Sequence, residues 1–302
     1  MKHPGIRHQE VSFAAGEARC SGSLYLPEGV DHPPVVILGH GLGATRDMGL
    51  EAYAVRFASV GIAALTFTYR YFGDSSGQPR QLLSIRRQLA DWDAAIAFVQ
   101  SLPEVDTERV AVWGSSFGGG HAIVVAAHHP ELRAAVAQCP FTDGLASTRT
   151  LGPIGTARIV PTVTRDLLAM IRRSEPVQIT VAGPPGSASL MAAPDALPGY
   201  LALVPDDGEF INHVAARVAP TIAAHRPGRL ARKVRVPMLF CVCDHDSVTP
   251  PEQTLKYART APLGEIKTYP CGHFDIYNGE DFEAVVADQL DFLQRHLVGD
   301  MS

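Results

Sequence analysis

A serine flanked by glycines stands where a predicted strand changes into a predicted helix. Residues 110–120 read VAVWGSSFGGG and contain the pattern Gly-x-Ser-x-Gly centred on Ser116. A serine on a sharp strand-to-helix turn needs small neighbours because its backbone is strained, and the turn places its hydroxyl beside a helix N-terminus. Ser116 is therefore the candidate nucleophile, and Ser115 is interpreted as structural. A glycine-rich turn without chemistry is the alternative for the same residues.

Two later strand ends offer the groups that a serine nucleophile needs. A serine hydroxyl becomes reactive when a base takes its proton, and a third group must fix the tautomer of that base. Residues 239–251 form an apolar strand followed by Asp244 and Asp246, and His273 follows the strand that ends near residue 269. The resulting order of serine, acid and histidine is the order of one hydrolase fold. The spacing alone leaves Asp244 and Asp246 both open as the acid.

Over almost its whole length, the sequence resembles the α/β-hydrolase superfamily. Within it, the run GSSFGG at 114–119 followed by an insertion looks like serine esterases, dienelactone-hydrolase-like enzymes and relatives of the X-Pro and acyl-peptide hydrolases. The acid of this superfamily follows a glycine at a strand end by three residues and shortly precedes a Val-x-Pro sequence. By this resemblance Asp246 is the acid, Cys243 replaces the glycine, and His245 and Asp275 are polar loop residues.

The loop at residues 39–43, which reads GHGLG, resembles the His-Gly-x loop of the same superfamily. The resemblance implies that the backbone N–H groups of Leu42 and Phe117 form the oxyanion hole, and that His40 is structural. Each preorganised donor in such a hole typically contributes a factor of ~10² to 10³ in rate. A phosphate-binding loop is the alternative, but the sequence has neither Gly-x-Gly-x-x-Gly nor a Walker pattern with its lysine.

Short apolar runs alternate with longer amphipathic segments through most of the chain. This alternation is typical of an α/β protein with a mostly parallel sheet flanked by helices. Strands are predicted at residues 11–13, 22–26, 35–38, 62–67, 110–113, 134–137, 236–242 and 266–269. Helices are predicted at residues 50–59, 81–100, 118–128, 252–261 and 282–296. The superfamily resemblance implies the α/β-hydrolase fold for this arrangement.

The alternation breaks down in the middle of the chain, where prolines are frequent and where only two helices are predicted, near 161–173 and 208–224. We therefore divide the chain into a hydrolase core, residues 1–142 and 230–302, and an insertion, residues 143–229. The resemblance implies that this insertion is a cap or lid over the active site. Its apolar residues either line a pocket for an apolar part of the substrate or anchor the cap to the core.

Composition excludes several classes of protein. The chain has 302 residues, of which 46% are hydrophobic and 19% charged, so it is not disordered. A net charge of −5 gives no attraction to nucleic acid or to an anionic membrane. No signal peptide or spanning segment is recognised, and the five cysteines are too few for a disulfide scaffold. We expect a cytoplasmic protein with reduced thiols.

A zinc site is an alternative for the cysteines and histidines near the two later strand ends. The candidate ligands are Cys241, Cys243, His245, Cys271 and His273. On a strand, the side chains of Cys241 and Cys243 would project to the same face. However, cysteine in an apolar strand commonly packs as a small hydrophobe, and the chain has no Cys-x-x-Cys pair. We therefore predict no metal.

Taken together, the residues and the resemblance predict a serine hydrolase that cleaves a carboxylic ester through an acyl-enzyme. Ser116 would be the nucleophile, His273 the base and Asp246 the residue that orients it, without a cofactor. Thioester, amide or peptide, and carbon–carbon bond hydrolysis are alternatives on the same residues, and a hydrolase-fold ligand-binding protein is the non-enzymatic one. The expected partner is a small molecule with an apolar portion, and the sequence leaves a homodimer open.

Overall fold

The computed structural model describes residues 3–206, 208 and 210–299, and within them it contains eleven strands and nine α-helices. The strands are β1 Ile6–Ala15, β2 Ala18–Pro27, β3 Val35–Gly39, β4 Ala63–Phe67, β5 Val110–Ser115, β6 Ala134–Gln138, β7 Gln178–Ala182, β8 Ser189–Met191, β9 His213–Ala215, β10 Met238–Cys243 and β11 Gly264–Tyr269. The helices are α1 Leu50–Ser59, α2 Ile85–Gln100, α3 Phe117–His128, α4 Gly144–Arg149, α5 Gly152–Ile171, α6 Ala196–Ala202, α7 Ala219–Ala224, α8 Pro251–Ala258 and α9 Gly279–Leu293.

Eight of the strands form one sheet in the order β1-β2-β4-β3-β5-β6-β10-β11. The pairs β1–β2 and β2–β4 are antiparallel, and the other neighbours are parallel. The predicted α/β class with a mostly parallel sheet is confirmed. Because β5, β6, β10 and β11 run in the same direction, the loops that follow them meet at one edge of the sheet.

Helices cover both faces of this sheet, and successive strand residues point to opposite faces. In β3, Val35 and Ile37 pack into the cluster that includes Trp92 of α2 and Ile123 of α3. Their neighbours Val36 and Leu38 pack instead into the cluster that includes Trp113, α1 and α9. With both faces covered, the inner strands are apolar runs without alternation, as is typical of parallel sheets.

The segment 143–229 contains α4 to α7 and a second sheet of three strands in the order β8-β7-β9. The sequence analysis did not predict this sheet. It also placed a helix start at Pro161, whereas α5 begins at Gly152 and carries Pro161 inside it. Proline is common at the first position of a helix, which explains the wrong start. Of the predicted helix at 208–224, residue 209 lies outside the described residues, and the described ones are α-helical only over Ala219–Ala224, as α7.

The long predicted helix at 81–100 begins later than expected, at Ile85. Gln81 is buried with φ of 59°, outside the helical region. Its side-chain amide donates to the carbonyls of Ile211 and His213, at 3.2 and 2.9 Å. These bonds to the segment 143–229 hold residue 81 out of the helix.

Within the described residues, no helix combines the length and the apolar character that crossing a membrane requires.

Candidate active site

Ser116 occupies the turn between β5 and α3, with φ of 56° and ψ of −117°. Positive φ is uncommon for a residue with a side chain and marks a strained turn. The turn is held by backbone bonds, since the N–H of Ser116 donates to Gln138 at 2.9 Å and its carbonyl accepts from Phe141 at 2.8 Å. The strained strand-to-helix turn predicted for Ser116 is therefore present.

The two glycines of the Gly-x-Ser-x-Gly pattern permit close backbone packing around this turn. A Cβ atom on Gly114 would lie 2.0 Å from the carbonyl oxygen of Gly118, and one on Gly118 would lie 2.4 Å from the carbonyl oxygen of Gly39. Both neighbours are backbone atoms, which cannot rotate away. The pattern therefore reflects sterics as much as chemistry.

We expect Gly118→Ala to destabilise the fold by ~1–3 kcal/mol, the typical cost of overpacking. For a chain of this size the melting temperature should fall by roughly 2–4 °C for each kcal/mol lost, which differential scanning calorimetry would measure. Gly155→Ala is the control, since its added Cβ would meet only a side-chain atom, of Leu151 at 3.3 Å. Equal melting temperatures for the two variants would contradict the steric explanation.

The structure brings the three predicted triad residues together at the carboxyl edge of the sheet. The Nε2 atom of His273 lies 3.0 Å from Ser116 Oγ, and its Nδ1 atom lies 2.7 Å from Asp246 Oδ2. All three side chains are buried. Nδ1–H donates to the carboxylate, so Nε2 is left as the acceptor for the serine hydroxyl.

The side chain of Asp246 is held in place by donors from its own loop. Its Oδ1 accepts the N–H groups of Val248 at 2.8 Å and Thr249 at 2.6 Å, and its Oδ2 accepts the Thr249 hydroxyl at 2.7 Å. Asp244, the other acid left open by the spacing, is exposed. Geometry thus selects Asp246. Cys243, which stands in place of the superfamily's glycine, ends β10 without a positive φ, so no glycine is required there.

The remaining polar residues of these two loops lie apart from the triad. His245 is exposed, and the carboxylate of Asp275 accepts the N–H of Gly272 at 2.7 Å. Both match the interpretation of loop polar residues.

Burial lowers the pKa of His273, but the adjacent carboxylate of Asp246 and the neighbouring Cys139 together outweigh it, and the pKa lies well above its ordinary value. A buried negative charge beside the ring stabilises its protonated form. In its neutral form such a ring is a stronger base toward the hydroxyl of Ser116.

One group of side chains at this site could ligate a metal ion. Among the residues that the structure describes, Cys139, Asp246 and His273 form a set of metal-ligand atoms within 4.8 Å of one another. Asp246 and His273 already bond to each other, so we assign these two to the triad, with Cys139 as a buried neighbour. The five residues of the zinc alternative do not form such a set in the described chain.

The loop after β3 is fixed by His40. Its Nδ1 lies 3.0 Å from the carbonyl oxygen of Gly41, and its Nε2 lies 3.3 Å from the backbone N of Tyr69. Since the Tyr69 N–H must donate, Nε2 accepts and Nδ1–H donates. Burial lowers the pKa of His40 to about 4, so the ring is neutral. The Gly41 carbonyl belongs to the same peptide group as the Leu42 N–H, and His40 therefore orients that N–H.

The two backbone N–H groups predicted for the oxyanion hole are available. Within the described residues, neither Leu42 nor Phe117 donates its N–H to another protein group. Both residues border the same cavity as Ser116.

Tyr200 connects the segment 143–229 to this loop, a contact that the sequence analysis missed. Its hydroxyl donates to the carbonyl of Leu42 at 2.6 Å. In the sequence, Tyr200 is one of several large apolar or aromatic residues of the insertion, and nothing else distinguishes it. No sequence pattern signals a bond between residues 158 positions apart.

A cavity of about 240 Å³ opens from Ser116. Its walls come mainly from the segment 143–229 and from the loops around Phe117 and Val248. The lining is largely apolar and includes Phe141, Leu151, Ile159, Val160, Val163 and Ile222. The site therefore combines an activated hydroxyl with a space suited to hydrocarbon.

Comparisons with known proteins show the family of this chain. Residues 31–281 match the family described as serine aminopeptidase, S33. The chain is 49% identical over 286 residues to the Quorum-quenching protein AidA of Acinetobacter baumannii (strain MDR-ZJ06), covering 95% of this chain and 94% of AidA. It is 26% identical over 284 residues to a protein named Thiohydrolase from Eupenicillium brefeldianum, covering 86% of each.

The fold is also similar to solved structures. The crystal structure of the alpha/beta hydrolase GrgF from Penicillium sp. sh18 gives a TM-score of 0.84 at 23% identity, covering 97% of this chain and 99% of GrgF. This likeness establishes the fold.

Proposed function

We propose, from the premise that this chain belongs to the serine aminopeptidase S33 family of α/β hydrolases, that it is a serine hydrolase that cleaves a carboxylic ester through an acyl-enzyme. The observation that carries the proposal is the unbroken chain of hydrogen bonds from Asp246 through His273 to Ser116, at 2.7 and 3.0 Å. This arrangement activates a hydroxyl for attack on a carbonyl carbon.

The proposed reaction has two halves. His273 takes the proton of Ser116 while Oγ attacks the ester carbonyl, and the N–H groups of Leu42 and Phe117 bind the oxyanion. When the tetrahedral intermediate collapses, the carbon–oxygen bond to the alcohol breaks and the imidazolium gives its proton to the leaving oxygen. Water then attacks the acyl-enzyme with His273 as the base, and the carboxylic acid leaves with Ser116 restored.

The segment 143–229 acts in this proposal as a cap over the site. Two contacts support that role. The hydroxyl of Tyr200 holds the loop of Leu42 at 2.6 Å, and Asp195 accepts from the Ser247 hydroxyl, beside Asp246, at 2.5 Å. The cap thus touches both the oxyanion loop and the acid loop, and its apolar wall would receive the apolar portion of the substrate.

A panel of esters, thioesters and amides with graded acyl chains tests the proposal. Purified protein should hydrolyse the esters fastest, and Ser116→Ala should abolish turnover of every member. If a folded protein binds members of the panel and turns none over, the ligand-binding alternative is correct. If thioesters or amides are hydrolysed faster than esters, the proposed triad is retained but the proposed bond type is wrong.

A second candidate function comes from the relatives. AidA is named a quorum-quenching protein, and its 49% identity extends over nearly the whole chain. The corresponding function here would be hydrolysis of an acyl bond in a quorum-sensing signal. Incubation of a signal with wild-type protein, but not with Ser116→Ala, should then silence a bacterial reporter for that signal.

We expect Tyr200→Phe to lower kcat for ester hydrolysis by roughly fivefold to tenfold with little change in KM. Losing a buried hydrogen bond typically costs ~1 kcal/mol. Here the Leu42 carbonyl would lose its bond to Tyr200, so the loop that carries the Leu42 N–H would be held less firmly. Tyr257→Phe is the control, since its hydroxyl bonds the cap residue Asp143 at 2.8 Å, away from that loop. A similar fall in kcat for both variants would indicate a general effect of loosening the cap.

A further inference from the structure

Two cavities of very different size meet at Ser116. The larger, of about 240 Å³, lies toward the cap helices and borders Leu42 and Phe117. The smaller, of about 20 Å³, is bordered by His40, Met48 and His273 and, from the cap, by Tyr200 and Leu203. Ser116 is common to both cavities, so an ester bound at its hydroxyl has one group on each side.

The reaction chemistry indicates which cavity receives the acyl group of the ester and which receives the alcohol. In ester cleavage the leaving oxygen must receive a proton from the ring of His273. That ring borders the small cavity and not the large one. The alcohol therefore lies on the small side, and the acyl chain lies on the large side, where both oxyanion donors are found.

The volumes set the size of each group. An apolar cavity of ~150 Å³ accepts benzene, with its six carbons, so the large cavity has room for a chain of roughly ten carbons. A water molecule needs ~10–15 Å³ measured in the same way. The small cavity, at about 20 Å³, holds little more than that.

The walls of the small cavity are fixed by close packing. A Cβ atom on Gly199 would lie 2.2 Å from the Phe274 ring, so helix α6 already rests directly on the histidine loop. Tyr200, next along α6, is tied to Leu42, and Met48 is only 3% exposed. A larger alcohol would have to displace these residues.

We infer that the natural substrate pairs an apolar acyl group of medium length with an alcohol about the size of methanol, and that Met48 and Val163 set the limits on the two sides. This inference rests on the proposed ester hydrolysis and adds the identity of the two halves of the ester.

A matrix of esters in which acyl length and alcohol size vary independently tests the inference. Among methyl esters, kcat/KM should rise roughly 10²-fold or more from acetate to decanoate, because each methylene buried adds to binding. Among decanoates, it should fall at least tenfold from the methyl to the butyl ester. A preference for butyl acetate over methyl decanoate would overturn the inference and leave the proposed hydrolase intact. No turnover of any ester would overturn both.

Two variants separate the two sides. Met48→Ala should raise the ratio of kcat/KM for butyl decanoate to that for methyl decanoate about tenfold. Val163→Phe, which narrows the large cavity, should shift the preferred acyl chain from decanoate to butanoate and leave the alcohol preference unchanged. If Met48→Ala melts at a lower temperature than wild type, Leu203→Ala replaces it, since Leu203 borders the same small cavity and is only half-buried. The opposite pattern, or no change in either preference for folded variants, would overturn the assignment.

Discussion

Ser116→Ala is expected to lower kcat for ester hydrolysis by roughly 10⁶-fold, the loss typical of removing a serine nucleophile from an intact triad. Alanine removes only the oxygen that lies 3.0 Å from His273, so the fold and the cavities should persist. Steady-state kinetics on a methyl ester, with the melting temperature measured alongside, would check both.

Ser115→Ala is the matched control for that loss. The Ser115 hydroxyl is buried, and it contacts Tyr277 and accepts from the Gln138 amide at 3.2 Å instead of facing His273. Its removal should lower stability by ~1 kcal/mol and leave kcat within tenfold. If Ser115→Ala abolished turnover and Ser116→Ala retained it, the neighbouring serine would be the nucleophile.

Asp246→Asn is expected to lower kcat by roughly 10⁴-fold, by analogy with the same change in a serine-protease triad. The amide of asparagine donates where the carboxylate accepted, so Nδ1 of His273 becomes the acceptor. The proton then sits on Nε2, which can no longer take one from Ser116.

The pH dependence of kcat/KM is a second measurement on Asp246→Asn. Asp246 holds the pKa of His273 above its ordinary value, and the base works only when it is unprotonated. Wild-type kcat/KM should therefore rise with pH as His273 loses its proton, and in Asp246→Asn the rise should move to lower pH. Asp244→Asn is the control, since Asp244 is exposed. A larger loss from Asp244→Asn than from Asp246→Asn would show that Asp246 is not the acid.

Sequence reasoning selected three residues that the structure brings together, because each lies in a region marked by a local pattern. Ser116 lies in a glycine pattern that exists for steric reasons, and Asp246 and His273 follow apolar strands that a parallel sheet must align. Strand ends in such a sheet meet at one edge, so the three patterns predicted that these regions meet, and the superfamily resemblance chose Asp246 over Asp244.

The residues that position the site could not be predicted from the sequence, because their roles depend on contacts between segments distant in the chain. The role of His40 depends on the backbone N–H of Tyr69, and that of Tyr200 on the carbonyl of Leu42. The strands β7, β8 and β9 of the segment 143–229 have five residues or fewer each. Runs this short show too little alternation to be recognised, so the second sheet appeared only in the structure.

Fluorophosphonate labelling followed by peptide mass spectrometry addresses the reactivity of Ser116 most directly, because the probe reacts only with a serine that a neighbouring base has activated. We expect a single adduct on Ser116 in the folded wild-type protein, little or no adduct in His273→Ala, and none in Ser116→Ala. A folded wild-type protein that stays unlabelled, or an adduct on another residue that persists in Ser116→Ala, would contradict the proposed serine hydrolase.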